Sequence, residues 1–279
     1  MSVFMAAFLG IVQGITEFLP VSSSGHLSIL KNFCRLDYSE SDHLLFEVLL
    51  HLATLVSVVI VYRKDIRAII ADTAEFLRSR GEVADEEGRL SPNVRTLLLI
   101  IVATLPLFVM VPFSDKIELL NARSWFIGFA LLVTGTLVFV ADRLREGRKS
   151  ERTTRLTDAL IVGIGQALAV IPGLSRSGTT ITLGVARGLK RDFAMKFSFL
   201  LSIPAILGSV LLQLVKALSA GTNWSLFPVY LVGMVFAGVT GYFALRLLKL
   251  LIDRSRFGKI AYYCWAIGAL TLILSIFIH

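Results

Sequence analysis

The sequence predicts an all-α polytopic integral membrane protein, built as an inverted repeat with two re-entrant helical hairpins and about six transmembrane helices. Three observations lead to this fold class. The 279 residues are 55% hydrophobic, with a mean hydropathy of +0.76, so too little charge is present to cover a soluble domain of this size. Long windows nearly free of charge alternate with basic loops, and one polar pattern occurs in both halves of the chain.

The transmembrane helices are predicted from windows long enough to cross the hydrocarbon core of a bilayer, which takes about 20 apolar residues. Five windows reach about this length with almost no charge: Thr96–Ser114, Ser124–Ala141, Phe197–Val215, Leu226–Leu245 and Ile260–Ile278. The other apolar stretches are shorter or are interrupted by polar residues.

Charge is unevenly distributed along the chain. The formal net charge of +8 is concentrated in basic clusters at residues 63–67, 143–155 and 246–259, at the ends of apolar windows. The linkers Asn223–Tyr230 and Pro112–Arg123 carry few basic residues or none. Because cytoplasmic loops are enriched in lysine and arginine, we place the basic loops inside and the sparse linkers outside. Topology explains the basic clusters better than a nucleic-acid surface does, so we expect no nucleic-acid partner.

Two sequence patterns recur in the same order, which indicates a single membrane domain with diverged internal repeats at about residues 1–150 and 151–279. Gln13 and Gly25 are separated by the same number of residues as Gln166 and Gly178, and each glutamine follows a Gly-Ile pair. A second pair of similar segments lies at nearly the same separation: Phe46–His51 and Phe197–Ser202.

Each repeated region contains a helix break after a short apolar arm. Pro20 and Gly25 interrupt the first region, and Pro172 with Gly173 interrupts the second. Arms of this length suit re-entrant hairpins better than full spans, and non-helical backbone at that depth is tolerated only inside protein or beside water. Because such repeats commonly pair around a site near the bilayer midplane, we expect the two tips to meet.

The second tip, PGLSRSGTT at Pro172–Thr180, places Arg176 between serines and glycines. An arginine inside a membrane costs at least a few kcal/mol, so it needs a partner or a function. We expect Thr179 and Thr180 to begin the next helix. A helix N-terminus with free amides, hydroxyl groups and a guanidinium is an anion receptor suited to phosphate. An arginine that only caps a helix or pairs with a carboxylate is the alternative.

The first tip, PVSSSGHL at Pro20–Leu27, follows Gln13 and Glu17, which are four residues apart and share one helix face. A carboxylate and an amide there can orient a histidine, hold a divalent cation or bind water. His26 is near enough in sequence to activate a serine hydroxyl group as a nucleophile. The two tips together indicate phosphoryl transfer on a lipid whose tail stays in the bilayer.

Further polar residues are expected to contact the site residues rather than the substrate. Glu47 and His51 lie in an apolar run, where they either line the same site or pair with each other. Ser198 and Ser202 occupy the equivalent places of the second repeat without ionisable groups, and Gln166 is the counterpart of Gln13.

Four segments closely resemble motifs of the undecaprenyl-diphosphate phosphatase, or bacitracin-resistance, family: QGITEFLPVSSSGHL (Gln13–Leu27), FEVLLHLATL (Phe46–Leu55), PGLSRSGTT (Pro172–Thr180) and FSFLLSIPA (Phe197–Ala205). The resemblance extends over essentially the whole chain. It implies hydrolysis of undecaprenyl diphosphate to the monophosphate and phosphate. This reaction recycles the lipid carrier for peptidoglycan synthesis, cell wall biogenesis and cell shape, and is linked to bacitracin resistance. It also implies a multi-pass protein of the bacterial plasma (inner) membrane, with the active site facing the extracytoplasmic side.

The resemblance implies roles for individual residues as well. Glu17 is similar to the family's essential acidic residue, Ser23 and His26 to the proposed nucleophile and its base, and Arg176 to the clamp on the diphosphate. The residues expected to bind substrate beside them are Gln13, Ser22, Ser24, Gly25, Gly173, Ser175, Ser177, Gly178, Thr179 and Thr180.

A divalent cation, Mg²⁺ or Ca²⁺, is implied by the same resemblance, with Glu17 as its candidate ligand. Where many members carry a second glutamate, this chain has Gln13, and an amide binds a hard cation more weakly than a carboxylate. Direct coordination by a carboxylate pair is therefore not expected. Membrane lipids are expected partners, and a homodimer is left open.

Two other functions compete with this one. A lipid-phosphate transporter or flippase would also use inverted repeats, broken helices and an anion receptor, but transport does not require the Ser23 and His26 pair. Phosphatidic-acid-phosphatase-type lipid phosphatases also use an SGH element. They need a Lys-x6-Arg-Pro motif, however, and no Arg-Pro dipeptide occurs in this chain.

The charge pattern predicts which side of the membrane each loop faces. In a chain whose Cys34 and Cys264 are replaced, a cysteine introduced in Pro112–Arg123 should react with a membrane-impermeant maleimide in intact cells. A cysteine in place of Arg148 should react only after permeabilisation. The reverse labelling pattern would contradict the assigned orientation.

Overall fold

The computed structural model describes residues 1–34, 40–79, 90–219, 224–253 and 257–277, without the side chains of residues 40–43 and 253. The linker that begins at Asn223 and the basic cluster at residues 246–259 lie partly outside these ranges. Within them the chain forms α-helices and short 3₁₀ helices and no β-strand, which confirms the predicted all-α class.

The α-helices follow one another with short connections. The first half contains α1 Val3–Phe18, α2 Ser23–Cys34, α3 Glu40–Val61, α4 Arg63–Arg78, α5 Pro92–Thr104, α6 Ser114–Glu118 and α7 Ser124–Arg143. The second half contains α8 Leu156–Leu168, α9 Arg176–Ala186, α10 Arg191–Ser219, α11 Phe227–Asp253 and α12 Lys259–Phe277. The 3₁₀ helices are Leu105–Phe113, Leu119–Ala122 and Trp224–Leu226.

Six segments in the described part of the chain are long and apolar enough to cross a membrane: Leu44–Val61, Pro92–Ala122, Ser124–Arg143, Arg191–Ser219, Trp224–Ile252 and Lys259–Phe277. The protein is therefore polytopic, as predicted. The span Leu44–Val61 is absent from the five charge-poor windows because Glu47 and His51 interrupt it. The helices α1 and α8 are apolar but shorter. Their re-entrant placement stays a prediction.

Large apolar side chains on the transmembrane helices face outward. Phe129 of α7, Phe243 of α11 and Ile273 of α12 are each more than half exposed. Such a surface would be unfavourable in water, whereas lipid tails are a suitable environment for it. Inside the bundle, Phe18 at the end of α1 packs edge-to-face on Phe199 of α10, with ring centroids 5.8 Å apart. This contact holds the end of α1 in the centre of the molecule.

Glycine allows each of the two short arms, α1 and α8, to lie directly against the backbone of a neighbouring helix. In α1, a β-carbon at Gly10 would lie 2.2 Å from the carbonyl oxygen of Gly233 in α11. In α8, a β-carbon at Gly163 would lie 2.3 Å from the carbonyl oxygen of Ala103 in α5. Small residues at helix contacts permit this close approach in membrane proteins. Gly10 and Gly163 occupy equivalent places in the two similar sequence patterns.

The helices α1 and α2 form one pair around the first break, and α8 and α9 form another around the second. The open ends of the two pairs lie near opposite ends of α7. Ser28 of α2 donates a hydrogen bond to Asn121 Oδ1 (3.0 Å), just before α7 begins at Ser124. On the other side, Leu189 after α9 forms a β-bridge with Lys149, just after α7 ends at Arg143. Because a helix of this length spans about 30 Å, these contacts lie on opposite faces of the bundle. The inverted repeat and its division at residues 1–150 and 151–279 stay predictions.

The glycine contact of α1 predicts a large stability difference between two Gly→Ala substitutions. Gly10→Ala should destabilise the protein by about 1–3 kcal/mol, because the added methyl group overlaps a backbone carbonyl that has no room to move. Gly208→Ala in α10 is the matched control, since a β-carbon there meets nothing within 4 Å. Thermal unfolding of the purified variants in detergent measures the difference. Equal midpoints would contradict the close packing of α1 on α11.

Candidate active site

The first helix break arranges Ser22 as the cap of α2. The Ser22 backbone has a φ of 68°, a left-handed conformation that is unfavourable for residues other than glycine. This turn brings Ser22 Oγ within 3.3 Å of the Gly25 N–H group, which donates to it as in other serine N-caps. The Ser22 carbonyl oxygen accepts from the His26 backbone N–H (3.2 Å) and also lies 2.8 Å from His26 Nδ1. The strained turn therefore sets the position of the His26 ring.

The second helix break arranges Ser175 in the same way. Ser175 Oγ accepts from the Gly178 N–H group (3.1 Å) and caps α9, which begins at Arg176 rather than at the predicted Thr179. Because Arg176 is the first helical residue, its side chain lies at the N-terminus of α9. Thr134 of α7 holds the break in place: its hydroxyl group donates to the Gly173 carbonyl (2.9 Å) and accepts from the Ser175 N–H (3.0 Å).

The two caps make the same hydrogen bonds and lie against each other, although Ser175 has an extended backbone and Ser22 a left-handed one. Ser22 Oγ is 3.4 Å from Ser24 Oγ, and Ser175 Oγ is 3.2 Å from Ser177 Oγ. A β-carbon at Gly25 would lie 3.1 Å from the Cα atom of Gly173. This correspondence places Ser23 of α2 and Arg176 of α9 at the same first helical position.

The carboxylate of Glu17 joins the two tips. Arg176 Nη2 donates to Glu17 Oε1, and Ser23 Oγ donates to Glu17 Oε2 at 2.5 Å. Gln13 Nε2, one turn earlier in α1, donates to Glu17 Oε2 at 3.1 Å. Glu17 is 7% exposed and Gln13 is fully buried. The carboxylate is thus neutralised by one cation and bound by two further donors inside the protein.

His51 is a direct neighbour of this carboxylate. The Gln13 amide nitrogen also donates to His51 Nδ1 (3.1 Å), and His51 Nδ1 lies 3.5 Å from Glu17 Oε2. Of the two alternatives considered for His51 and Glu47, this contact favours His51 as part of the site lining. Glu47 lies one helical turn before His51 on α3.

His26 contacts a residue that was not predicted. Its Nε2 atom lies 2.9 Å from the hydroxyl group of Tyr263 in α12, and the two rings are nearly parallel. Ser23 instead donates to Glu17, so Ser23 and His26 have different partners in the described hydrogen bonds. His26 as the base for Ser23 stays a prediction. No sequence pattern distinguishes Tyr263 as a site residue, because an aromatic pair in a transmembrane helix is typical of the membrane interface.

Of the remaining predicted residues, Thr179, Thr180 and Ser198 support α9, whereas Ser202 and Gln166 do not contact it through a described hydrogen bond. Thr179 and Thr180 use their hydroxyl groups within the helix, on the carbonyls of Ser175 and Arg176 (2.8 Å each). Thr180 Oγ1 also lies 2.5 Å from Ser198 Oγ of α10, whereas Ser202 donates to the Phe199 carbonyl (2.7 Å). The amide of Gln166 is buried, with no hydrogen-bond partner in the described part of the chain.

The donor atoms around Glu17 do not fit a divalent cation held by the protein. Mg²⁺ and Ca²⁺ prefer several oxygen ligands, with carboxylates foremost. The described residues contain no cluster of three histidine, cysteine or acidic side chains, and Glu17 already binds the Arg176 guanidinium. Gln13 Oε1 is a buried oxygen without a hydrogen-bond partner among the described residues, but it carries no charge. Coordination by Glu17 stays a prediction that this donor set does not favour.

The arrangement is suited to binding and transferring a phosphoryl group. The first turns of α2 and α9 present backbone N–H groups and positive dipole ends, which bind phosphate well. Arg176 adds a planar guanidinium that can donate to two phosphate oxygens. Ser23 supplies a hydroxyl group that is hydrogen-bonded to a carboxylate. A nucleophilic hydroxyl group and the base that accepts its proton are bonded in the same way. The two helix starts therefore bring together the groups that an anion receptor and a hydroxyl nucleophile require.

Comparisons with known proteins agree with this chemistry. Residues 6–270 match the family described as bacitracin resistance protein BacA. A protein of Methanobrevibacter smithii named undecaprenyl-diphosphatase is 40% identical over 282 residues, covering 99% of each chain. Proteins of the same name from Carboxydothermus hydrogenoformans and Rubrobacter xylanophilus are 38% and 40% identical, each covering 98% of both chains. The family match and these full-length similarities establish that the chain belongs to the bacitracin resistance protein BacA family.

Proposed function

We propose that this chain is an undecaprenyl-diphosphate phosphatase, a hydrolase that converts undecaprenyl diphosphate to the monophosphate and inorganic phosphate. The observation that carries the proposal is the contact of Glu17 with both Ser23 and Arg176 at two facing helix N-termini. The names of the full-length relatives support the same reaction. The product is the lipid carrier for peptidoglycan and other envelope polymers, so the activity serves cell wall synthesis and bacitracin resistance.

The diphosphate binds between the first turns of α2 and α9. Its oxygens replace the Glu17 carboxylate as partners of the Arg176 guanidinium, which is geometrically suited to bidentate contacts with phosphate. The caps use the N–H groups of Gly25 and Gly178, so the phosphate binds other N–H groups of these first turns, among small serine and glycine residues. Thr179 and Thr180 act on α9 rather than on substrate, because their hydroxyl groups donate to helix carbonyls.

The reaction begins when Ser23 Oγ attacks the terminal phosphorus of the diphosphate. The bond from this phosphorus to the bridging oxygen breaks, and undecaprenyl monophosphate leaves with the electron pair. The Ser23 proton passes to Glu17 Oε2, which lies 2.5 Å from Ser23 Oγ and is released from Arg176 by the bound phosphate. Arg176 and the helix N-termini neutralise the charge on the phosphoryl oxygens.

The second step is hydrolysis of the phosphoserine. A water molecule attacks the phosphorus and His26 takes a proton from this water. The bond from phosphorus to Ser23 Oγ breaks, Ser23 Oγ takes back the proton held by Glu17 Oε2, and inorganic phosphate leaves. This assignment gives His26 the role of a base, as the family resemblance implies. In this proposal Glu17, and not His26, activates Ser23, because the hydroxyl group of Ser23 already donates to the Glu17 carboxylate.

A dependence on Mg²⁺ or Ca²⁺ is proposed from the family resemblance alone. Glu17 would be a poor ligand for such an ion, because it is a single carboxylate that also accepts the Ser23 proton. The chain lies in the bacterial plasma membrane, and the site opens to the extracytoplasmic side. A homodimer is not needed for activity in this proposal, because one chain supplies each of the residues invoked.

Purified protein in detergent should release phosphate from a long-chain polyprenyl diphosphate, and Arg176→Ala and His26→Ala should each reduce the rate at least about 100-fold. Loss of a preorganised charge or proton acceptor in the transition state has effects of this size. Arg63→Ala is the control, because Arg63 is exposed and donates only to the Ile60 carbonyl in the described contacts. Normal turnover in both site variants would contradict the site assignment. No release by wild type, together with lipid movement in vesicles, would favour the transporter.

Ser23→Ala should reduce phosphate release about 1,000-fold or more and abolish labelling of the protein by substrate with a radioactive terminal phosphate, since no phosphoserine can form. Ser28→Ala, one turn further along α2, should retain activity because its hydroxyl group bonds to Asn121 outside the site. Substantial residual activity in Ser23→Ala would show that water, activated by Glu17 or His26, attacks the diphosphate directly.

A further inference from the structure

The His26 ring is held by protein at both of its nitrogen atoms. Nδ1 lies 2.8 Å from the Ser22 carbonyl oxygen and Nε2 lies 2.9 Å from the Tyr263 hydroxyl oxygen. Because a carbonyl oxygen only accepts hydrogen bonds, Nδ1 carries the proton of the neutral imidazole. Nε2 then holds the lone pair, and the Tyr263 hydroxyl group donates to it. The two bonds together select the tautomer whose Nε2 can accept a proton.

Tyr263 reaches His26 from a helix that is itself firmly attached to the site. On α12, the neighbouring Cys264 Sγ lies 3.5 Å from the Pro20 carbonyl oxygen, in the break before α2. Trp265 Nε1 donates to the Leu132 carbonyl of α7 (3.2 Å). Helices α7 and α12 also cross closely, since a β-carbon at Gly268 would lie 2.8 Å from the Gly128 carbonyl oxygen. Tyr263 is therefore presented by a rigid support rather than by a loop.

The contact between the two rings limits rotation of the imidazole as well. The planes of His26 and Tyr263 are 5° apart and their centroids are separated by 5.7 Å. Tyr263 is 45% exposed, so its hydroxyl group lies where the interior of the site meets its surroundings. Its neighbour Tyr262 is 60% exposed and packs instead on Phe139 and Trp265, away from His26.

We propose that Tyr263 is the positioning residue for His26 in the hydrolysis reaction. Its hydroxyl group holds the imidazole ring in place with Nε2 unprotonated, and this hydrogen bond breaks when His26 Nε2 takes a proton. The inference rests on the proposed function, in which His26 is a base. It adds α12 to the catalytic machinery, which otherwise comes from α1, α2 and α9. Positioning partners of functional histidines act through ring orientation and tautomer, so their loss lowers the rate of the chemical step.

Tyr263→Phe is the decisive variant, because it retains the ring and removes only the hydroxyl group. We expect kcat for polyprenyl diphosphate to fall about tenfold while KM stays within about twofold, as expected for a group that acts on the base and not on substrate binding. Tyr262→Phe is the matched control on the same helix and should have wild-type kcat and KM. Tyr263→Leu should lose more than Tyr263→Phe, because it also removes the ring contact.

A second readout separates this inference from the proposed function. Nitrogen NMR of protein labelled with ¹⁵N-histidine, with His26 assigned from His26→Ala, reports the tautomer and hydrogen bonding of the ring without any substrate. Tyr263→Phe should shift the His26 Nε2 signal, and Tyr262→Phe should not. An unchanged His26 signal overturns the positioning role, even if kcat falls. A shifted signal in a protein that hydrolyses no polyprenyl diphosphate supports the His26–Tyr263 contact and overturns only the phosphatase assignment.

Discussion

The buried carboxylate of Glu17 is the constraint on which the rest of the site depends. A charge at this depth is costly unless it is paired and hydrogen-bonded, and Glu17 obtains its pairing from Arg176, which is 159 residues away in sequence. To bring these two groups together, both halves of the chain must break a helix at the same place in the bundle. The strained backbone of Ser22 and the close contact of Gly25 with Gly173 are consequences of that requirement.

The two halves use the same local chemistry with one decisive difference. Each has a serine cap, a second serine two residues later and a glycine whose N–H group donates to the cap. At the first helical position, however, one half carries Ser23 and the other carries Arg176. Two helix starts with the same capping pattern therefore carry a hydroxyl group on one side and a permanent positive charge on the other. Because both meet Glu17, the site exists only where the halves face each other.

Much of the fold could be predicted from sequence because hydrophobic length and charge are local properties. The charge-poor windows identify five spans, and the breaks at Pro20 and Pro172 identify the two tips. The sixth span, Leu44–Val61, was obscured by Glu47 and His51, polar residues that belong to the core or the site rather than to a loop. The predicted start of α9 at Thr179 is three residues late, because Ser175 caps the helix and Arg176 begins it.

The sequence by itself determined the class of the protein, its family resemblance and the groups available for chemistry, since these depend on residue type and spacing along the chain. Only the tertiary structure decided which group meets which. Ser23 donates to Glu17 and not to its sequence neighbour His26, while His26 bonds to Tyr263, 237 residues away. A hydrogen bond requires two atoms within about 3 Å of each other, with suitable directions. Helix packing sets these distances, and no local pattern in the sequence specifies them.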